Sequence, residues 1–236
     1  MADYVLSVSS APIKNGIVTV DDTGTVVDVS SGSEQQVDVE KYEGVIVPGF
    51  VNAHCHLELS HMKGQINEKK GLPGFISEIV VKRNEFAESD IKAAIEKADE
   101  EMFRNGIVAV GDISNTDHSF EQKKKSKIAY HTFLEIFDLI PEQASAKIME
   151  ANALVSKLGN LKYSLVPHAP YSVSSKLIEE IDCIKQDVIS IHNQESATEI
   201  ELFESATGPL AEIMEKSGVD VRVLSKAKSP LLYVLG

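Results

Sequence analysis

Val45-Ile46-Val47-Pro48-Gly49-Phe50-Val51-Asn52-Ala53-His54-Cys55-His56-Leu57 decides how this chain is read. The stretch has the form of one apolar strand over residues 45–53 that runs out into two histidines spaced i, i+2. Successive side chains on a strand point to opposite faces, so His54 and His56 share a face and can hold one ion between them. Imidazole is the commonest protein ligand for zinc and related metals, and a pair of them on a strand makes half a site. Cys55 then faces the other way and is expected to be a small buried residue, not a ligand.

N-terminal to this stretch, residues 4 to 46 are short β-rich runs (4–7, 16–20, 25–29, 44–47) separated by turn residues. Asp21-Asp22-Thr23-Gly24 suggests a hairpin, and the whole reads as a small antiparallel sheet over residues 1–46. C-terminal to it, residues 47–236 alternate β with α. Glu88-Ser89-Asp90 starts a helix that Asn105-Gly106 closes. Strands are expected at 107–111, 128–136, 163–167 and 187–191, with a helix from Pro141 to about Gly159 and another capped by Ser174. Gly71-Leu72-Pro73-Gly74 carries only a loop signal. Strands alternating with helices imply an α/β fold with a parallel sheet, either a barrel or a doubly wound sheet.

In both architectures functional groups collect at the carboxyl ends of strands. His168 follows the fourth expected strand and His192 the fifth, and the fifth continues to Glu195, a carboxylate three residues beyond a histidine. A divalent ion that keeps one position open for water lowers the pKa of that water to about 7, and the hydroxide attacks an electrophilic carbon. Glu195 has the chemistry to take the water proton and deliver it to a substrate nitrogen. Asp112, ending the second strand, either reaches this site or caps a loop, and Glu58 reads equally as a solvated loop residue. His61, His118 and His131 lack comparable placement and read as surface or structural.

Composition narrows the partners. Lys plus Arg number 23 against 36 Asp plus Glu in 236 residues, a formal charge of −13, which disfavours nucleic acid and anionic membranes. The one basic run, Lys123-Lys124-Lys125-Ser126-Lys127, reads as a solvated helix face. No apolar run approaches the roughly 18 residues that span a bilayer, the N-terminus lacks signal-peptide character, and two cysteines make no disulfide framework. A cytoplasmic protein with a small-molecule substrate is expected.

Taken in order, Pro-Gly-Phe-Val-Asn-Ala-His54-Cys-His56-Leu-Glu, Gly106-Ile-Val-Ala-Val-Gly-Asp112, Pro167-His168-Ala-Pro-Tyr-Ser172 and His192-Asn-Gln-Glu195 resemble the amidohydrolase superfamily, in its deaminase and chlorohydrolase branch. The resemblance runs from the N-terminal sheet to about residue 210. It implies a (β/α)8 barrel, here about its first five βα units, with a small β-sandwich portion at the N-terminus. It implies His54, His56 and His192 as ligands of one divalent ion, zinc with iron as the alternative. It further implies Glu195 as the proton shuttle and His168 as the residue touching substrate or leaving group.

Three further strands belong to the family pattern, among them a sixth with a histidine and an eighth with a metal-binding aspartate. The chain reaches Gly236 before them, so a C-terminally truncated relative is expected, whose open sheet edge should favour a homo-oligomer. The activity implied is deamination of an amino-substituted heterocycle of the purine or pyrimidine-nucleoside kind. The alternatives are a chlorohydrolase or other C–N (non-peptide) hydrolase, and a metal-binding fragment that does no chemistry.

Overall fold

In the computed structural model, which describes residues 1–33 and 38–236, the chain divides into two compact units, Met1–Phe50 and Val51–Gly236. The first holds strands β1 (Ala2–Val5), β2 (Ile13–Val20), β3 (Val26–Ser31) and β4 (Tyr42–Ile46) in the sheet order β3-β2-β1-β4. The expected hairpin joins β2 and β3, where Asp21 Oδ1 accepts from the Thr23 and Thr25 N–H groups at 2.9 and 3.0 Å. The sheet is mixed, not antiparallel throughout. After the hairpin the chain crosses back and enters β4 alongside β1 in the same direction, making a parallel pair.

The deciding stretch is also not one strand. β4 ends at Ile46 and β5 (Phe50–Cys55) begins after Pro48-Gly49, in a different sheet. Proline has no N–H to give a ladder and fixes its own φ, so the run breaks there. His56 consequently lies one residue past the end of β5, leading into a 3₁₀ turn over Leu57–Met62.

In the second unit the order is α1 (Gly71–Lys82), α2 (Glu88–Arg104), β6 (Ile107–Ser114), α3 (Phe120–Lys125), β7 (Ala129–Ile136), α4 (Ala144–Leu158), β8 (Lys162–Pro167) and α5 (Ser175–Asp182). Then come α6 (Ala197–Ser205), α7 (Pro209–Lys216), α8 (Arg222–Ser225) and α9 (Pro230–Leu235). The sheet runs β5-β6-β7-β8, with β6, β7 and β8 mutually parallel and joined through helices, so the fold is α/β with a parallel sheet. Among the described residues no helix is long and apolar enough to cross a membrane.

Local chemistry accounts for most element ends. Glu88 and Asp90 sit in the first turn of α2, where they complement the helix dipole, and Ile91 and Ile95 form its buried stripe. Gly106, at φ 81°, takes the left-handed turn that ends it. Ser174 caps α5 by accepting from the Leu177 N–H at 3.3 Å. Gly71-Leu72-Pro73-Gly74 is not a loop but the first turn of α1, where the missing proline N–H has no intrahelical partner to lose.

The sheet has two faces. Leu134, Ile136 and Leu165 pack against Phe120, Ala151, Leu158 and Leu177 of the helices, and each buried leucine contributes about 1.5–3 kcal/mol. Ile113, Phe133 and Val166 form the other, smaller cluster. Gly111 permits a close approach: a Cβ there would lie 2.6 Å from the main-chain oxygen of Ala53, one residue before His54.

The expected strand at 187–191 is not formed. The Gln186 side chain takes the place of a ladder partner, accepting from the Leu165 N–H at 3.0 Å and donating to the Leu165 carbonyl at 2.7 Å. With that edge of β8 occupied by a side chain, the segment keeps one main-chain bond, from His192 N–H to the His168 carbonyl at 2.9 Å. That single bond still delivers His192 to the end of the sheet.

Candidate metal centre and the family it belongs to

His54 at the end of β5, His56 just beyond it, and His192 after the irregular segment converge, their ligating atoms within 4.8 Å of one another. The Nε2 atoms of His54 and His56 are 3.2 Å apart. Two imidazoles each ~2.0–2.1 Å from a tetrahedral zinc would hold their nitrogens roughly 3.3 Å apart, so the spacing fits a shared ion. His192 Nε2 is buried and forms no aligned hydrogen bond, which is the state of a ligand atom awaiting a cation.

Ring orientation is set from behind. His192 Nδ1 is 3.0 Å from Glu195 Oε1, and His168 Nδ1 bonds the Ser172 hydroxyl. Ser172 spends its own hydrogen on the Ala169 carbonyl at 3.1 Å, so it must accept from His168 Nδ1–H. Both rings therefore turn Nε2 toward the site, as outer partners of metal-binding histidines do.

Electrostatics separates the imidazoles. Burial pushes His56 down to about 4 and lowers His54 and His168 as well, leaving them neutral. Burial also pulls on His192, but the carboxylates of Glu135 and Glu195 outweigh it and raise its pKa to about 9. Burial drives the Cys55 thiol up to about 12, and the side chain packs beside the Leu57, Ile91 and Ile95 cluster, away from the two histidines that flank it.

Glu195 reaches the site with a second bond from the Tyr171 hydroxyl to Oε2 at 3.4 Å. Its main-chain N–H donates to Glu199 Oε2 at 2.8 Å, and Gln194 before it is held at φ 57°. A cavity of about 1300 Å³ opens over His56, His168, His192 and Glu195, with apolar walls from α1 (Leu72, Ile76, Ile79) and α7 (Leu210, Met214).

Two acids settle elsewhere. Asp112 pairs in register with Thr132 on the helix-facing side of the sheet, so strand alternation keeps it out of the site. It caps a loop through Leu57 N–H and forms a fully buried ion pair with Lys123, which corrects the solvated-face reading of 123–127 at Lys123, while Lys124, Lys125 and Lys127 are exposed as expected. Glu58 is buried, not solvated: it accepts from Asn115 N–H, Thr116 N–H and the Thr116 hydroxyl at 3.1, 2.9 and 2.8 Å, and pairs with Arg83. His61 meets Phe86 edge-on and His131 bonds Ser164, and neither belongs to the histidine group.

One site residue was missed. Glu135, at the carboxyl end of β7, forms a second compact group with His168 and His192. Alternation places it on the same face as Phe133, and the rule that marked His168 marks it too, but a single acid inside Thr132-Phe-Leu-Glu-Ile136 is easily passed over.

Comparison with known proteins agrees with this geometry. The profile of the amidohydrolase family matches residues 45–222. An adenosine deaminase from Helicobacter pylori is 30% identical over 172 residues, covering 70% of this chain and 41% of that protein. A 5-methylthioadenosine/S-adenosylhomocysteine deaminase from Bacillus cereus is 26% identical over 214 residues, 83% of this chain and 49% of the relative. The chain thus spans about half the length, or somewhat less, of the curated relatives it matches. Among solved structures, H. pylori aminofutalosine deaminase in complex with methylthio-coformycin superposes with TM-score 0.71 at 22% identity, over 91% of this chain and 55% of that one. A zinc-complexed atrazine chlorohydrolase from Arthrobacter aurescens gives 0.65 at 13%, over 99% and 57%. With three histidines meeting where parallel strands end, and a family profile that covers most of its length, this chain belongs to the amidohydrolase family.

Proposed function

We propose that the chain carries the metal-holding and proton-transferring half of a hydrolase that removes the amino group from a purine-like heterocycle. The convergence of His54, His56 and His192 carries this reading. The four strands β5 to β8 are read as the opening of a (β/α)8 barrel, and the sheet of the first unit as part of a β-sandwich. Zinc is the expected ion, with iron the alternative that three imidazoles also suit. When bound, such an ion supplies Lewis acidity that brings the pKa of water to about 7.

The chain's own residues do the rest. Glu195, whose main-chain N–H is anchored by Glu199, accepts one proton from the attacking water and gives it to the ring nitrogen; the second water proton then passes from the new hydroxyl to the amine, which departs as ammonia as the C–N bond breaks and the carbonyl forms. His168, held through Nδ1–H by Ser172, turns an acceptor Nε2 toward the cavity, where it takes a hydrogen bond from the substrate's amino group. The apolar walls of the cavity exclude water from the ring.

Zinc content and ammonia release from a panel of amino-purines and amino-pyrimidines test the division of roles. His56→Ala should lose zinc, whereas Glu195→Gln should keep zinc and lose turnover. Loss of zinc in both variants contradicts the assignment. Zinc uptake without any ammonia supports a binding-only chain, and release of chloride from a chlorinated triazine in place of ammonia supports the chlorohydrolase reading.

A further inference from the structure

Glu135 has no part in the proposal above, yet it is the most deeply buried carboxylate of the centre. Its side chain is 4% exposed, on a strand whose neighbouring residues are Phe133, Leu134 and Ile136. Among the described residues no lysine or arginine comes within ion-pair reach of it. Among the described residues the ion-pair contacts of its side chain are with His192 Nε2 at 3.4 Å and His168 Nε2 at 4.0 Å, both through Oε1. A carboxylate this deeply buried needs a positive partner, and the imidazoles, or an ion held on them, are what lies within reach of Oε1.

The two oxygens are used differently. Oε2 is fixed by Asn115 Nδ2 at 2.9 Å, and Asn115 is itself held through its main-chain N–H by Glu58 at 3.1 Å. Oε1 is left facing the two imidazole nitrogens. The Nδ1 atoms of both rings are committed to Ser172 and Glu195, so the atoms turned toward Oε1 are the Nε2 atoms. Three potential ligand atoms thus face one another within 4.8 Å, and one of them, His192 Nε2, also belongs to the His54/His56 group. The 3.4 Å between Oε1 and His192 Nε2, with no aligned hydrogen bond, matches the separation of two ligands on one ion.

The geometry points to Glu135 as the carboxylate ligand of the cation that His192 holds, supplied from β7. This rests on the metal reading above and adds to it the residue that sets affinity. A carboxylate among imidazoles adds a negative charge to an otherwise neutral ligand set, which strengthens binding of a divalent ion.

The test is zinc affinity of the whole chain, measured by competition with a chromophoric chelator for the wild type, Glu135→Gln and Glu135→Asp. The visible spectrum of the cobalt-loaded proteins is recorded alongside. Glu135→Gln should bind zinc 10- to 100-fold more weakly and alter the cobalt spectrum. Glu135→Asp, which keeps the charge but withdraws the oxygen by one methylene, should weaken binding by less. Circular dichroism in excess chelator shows which variants are folded, and unchanged zinc affinity in either folded variant overturns the assignment. A wild-type chain that takes up no zinc sinks the metal reading itself and Glu135's part with it. Zinc bound equally by wild type and variants sinks only the part given to Glu135.

Discussion

Asp112 Oδ1 accepts a 2.7 Å hydrogen bond from the main-chain N–H of Leu57, the residue that follows His56. Its other oxygen pairs with Lys123, which reaches from α3 and also donates to Ser114 Oγ at 3.0 Å and Thr132 Oγ1 at 3.1 Å. The turn that aims His56 is thereby tied to the helix-facing side of the sheet by a network with no exposed member. Removing one partner of such a pair leaves the other charge buried and alone, at a cost of about 3–5 kcal/mol. Asp112→Ala should therefore lower the unfolding free energy by that amount in urea. Lys92→Ala, which breaks the exposed Lys92–Glu88 pair on α2, should leave the urea midpoint almost unchanged. Equal effects of the two substitutions would contradict the account of Lys123.

Gly111 on β6 faces the Ala53 carbonyl of β5 with no room for a side chain. A side chain there meets the Ala53 carbonyl at 2.6 Å and the Phe133 ring at 3.0 Å, and the backbone cannot yield without moving the strand that carries His54. Gly111→Ala is expected to destabilise by about 1–3 kcal/mol and to weaken zinc binding as well. A variant destabilised to that degree but with wild-type zinc affinity would show that His54 is positioned independently of β6.

The raised pKa of His192 has a definite sign in the pH dependence. Its folded value, about 9, lies above the ordinary 6.5, so the protonated ring stabilises the metal-free chain fully below about pH 6.5. That contribution disappears as pH rises through about 9. Urea midpoints of the chelator-treated protein should fall between pH 6.5 and 9. Zinc affinity runs oppositely: the ion must displace this proton, so affinity should rise about tenfold per pH unit toward pH 9. His56, already neutral with its pKa pushed down to about 4, imposes no such competition. A zinc affinity flat from pH 7 to 9 would contradict the charge assigned to His192.

What the sequence made legible followed from rules that depend on neighbours in the chain. The i, i+2 histidines, the β–α alternation, the Ser174 cap and the Asn105-Gly106 stop are all local, and the structure keeps them. What was hidden depended on partners distant in sequence. The strand expected at 187–191 had suitable residues, but Gln186 occupies the Leu165 edge it needed. Lys123 is indistinguishable from Lys124 in a basic run until the helix register turns it toward Asp112, 11 positions earlier. Glu58 looks solvated in sequence because its donors, Asn115 and Thr116, lie almost 60 residues away. Pro48, by contrast, carried a local warning: a proline inside a presumed strand divides it, and the division is what separates the two sheets.

The claim on which the rest depends is that three imidazoles from two separate segments, His54 and His56 at the end of β5 and His192 beyond β8, meet on a single ion. X-ray absorption at the zinc edge of the zinc-loaded chain addresses it most directly. The expected spectrum has nitrogen and oxygen scatterers at ~2.0–2.1 Å with the outer-shell pattern of about three imidazole rings. A sulfur shell at ~2.3 Å, which would bring in Cys55, or the signature of a single imidazole would contradict it.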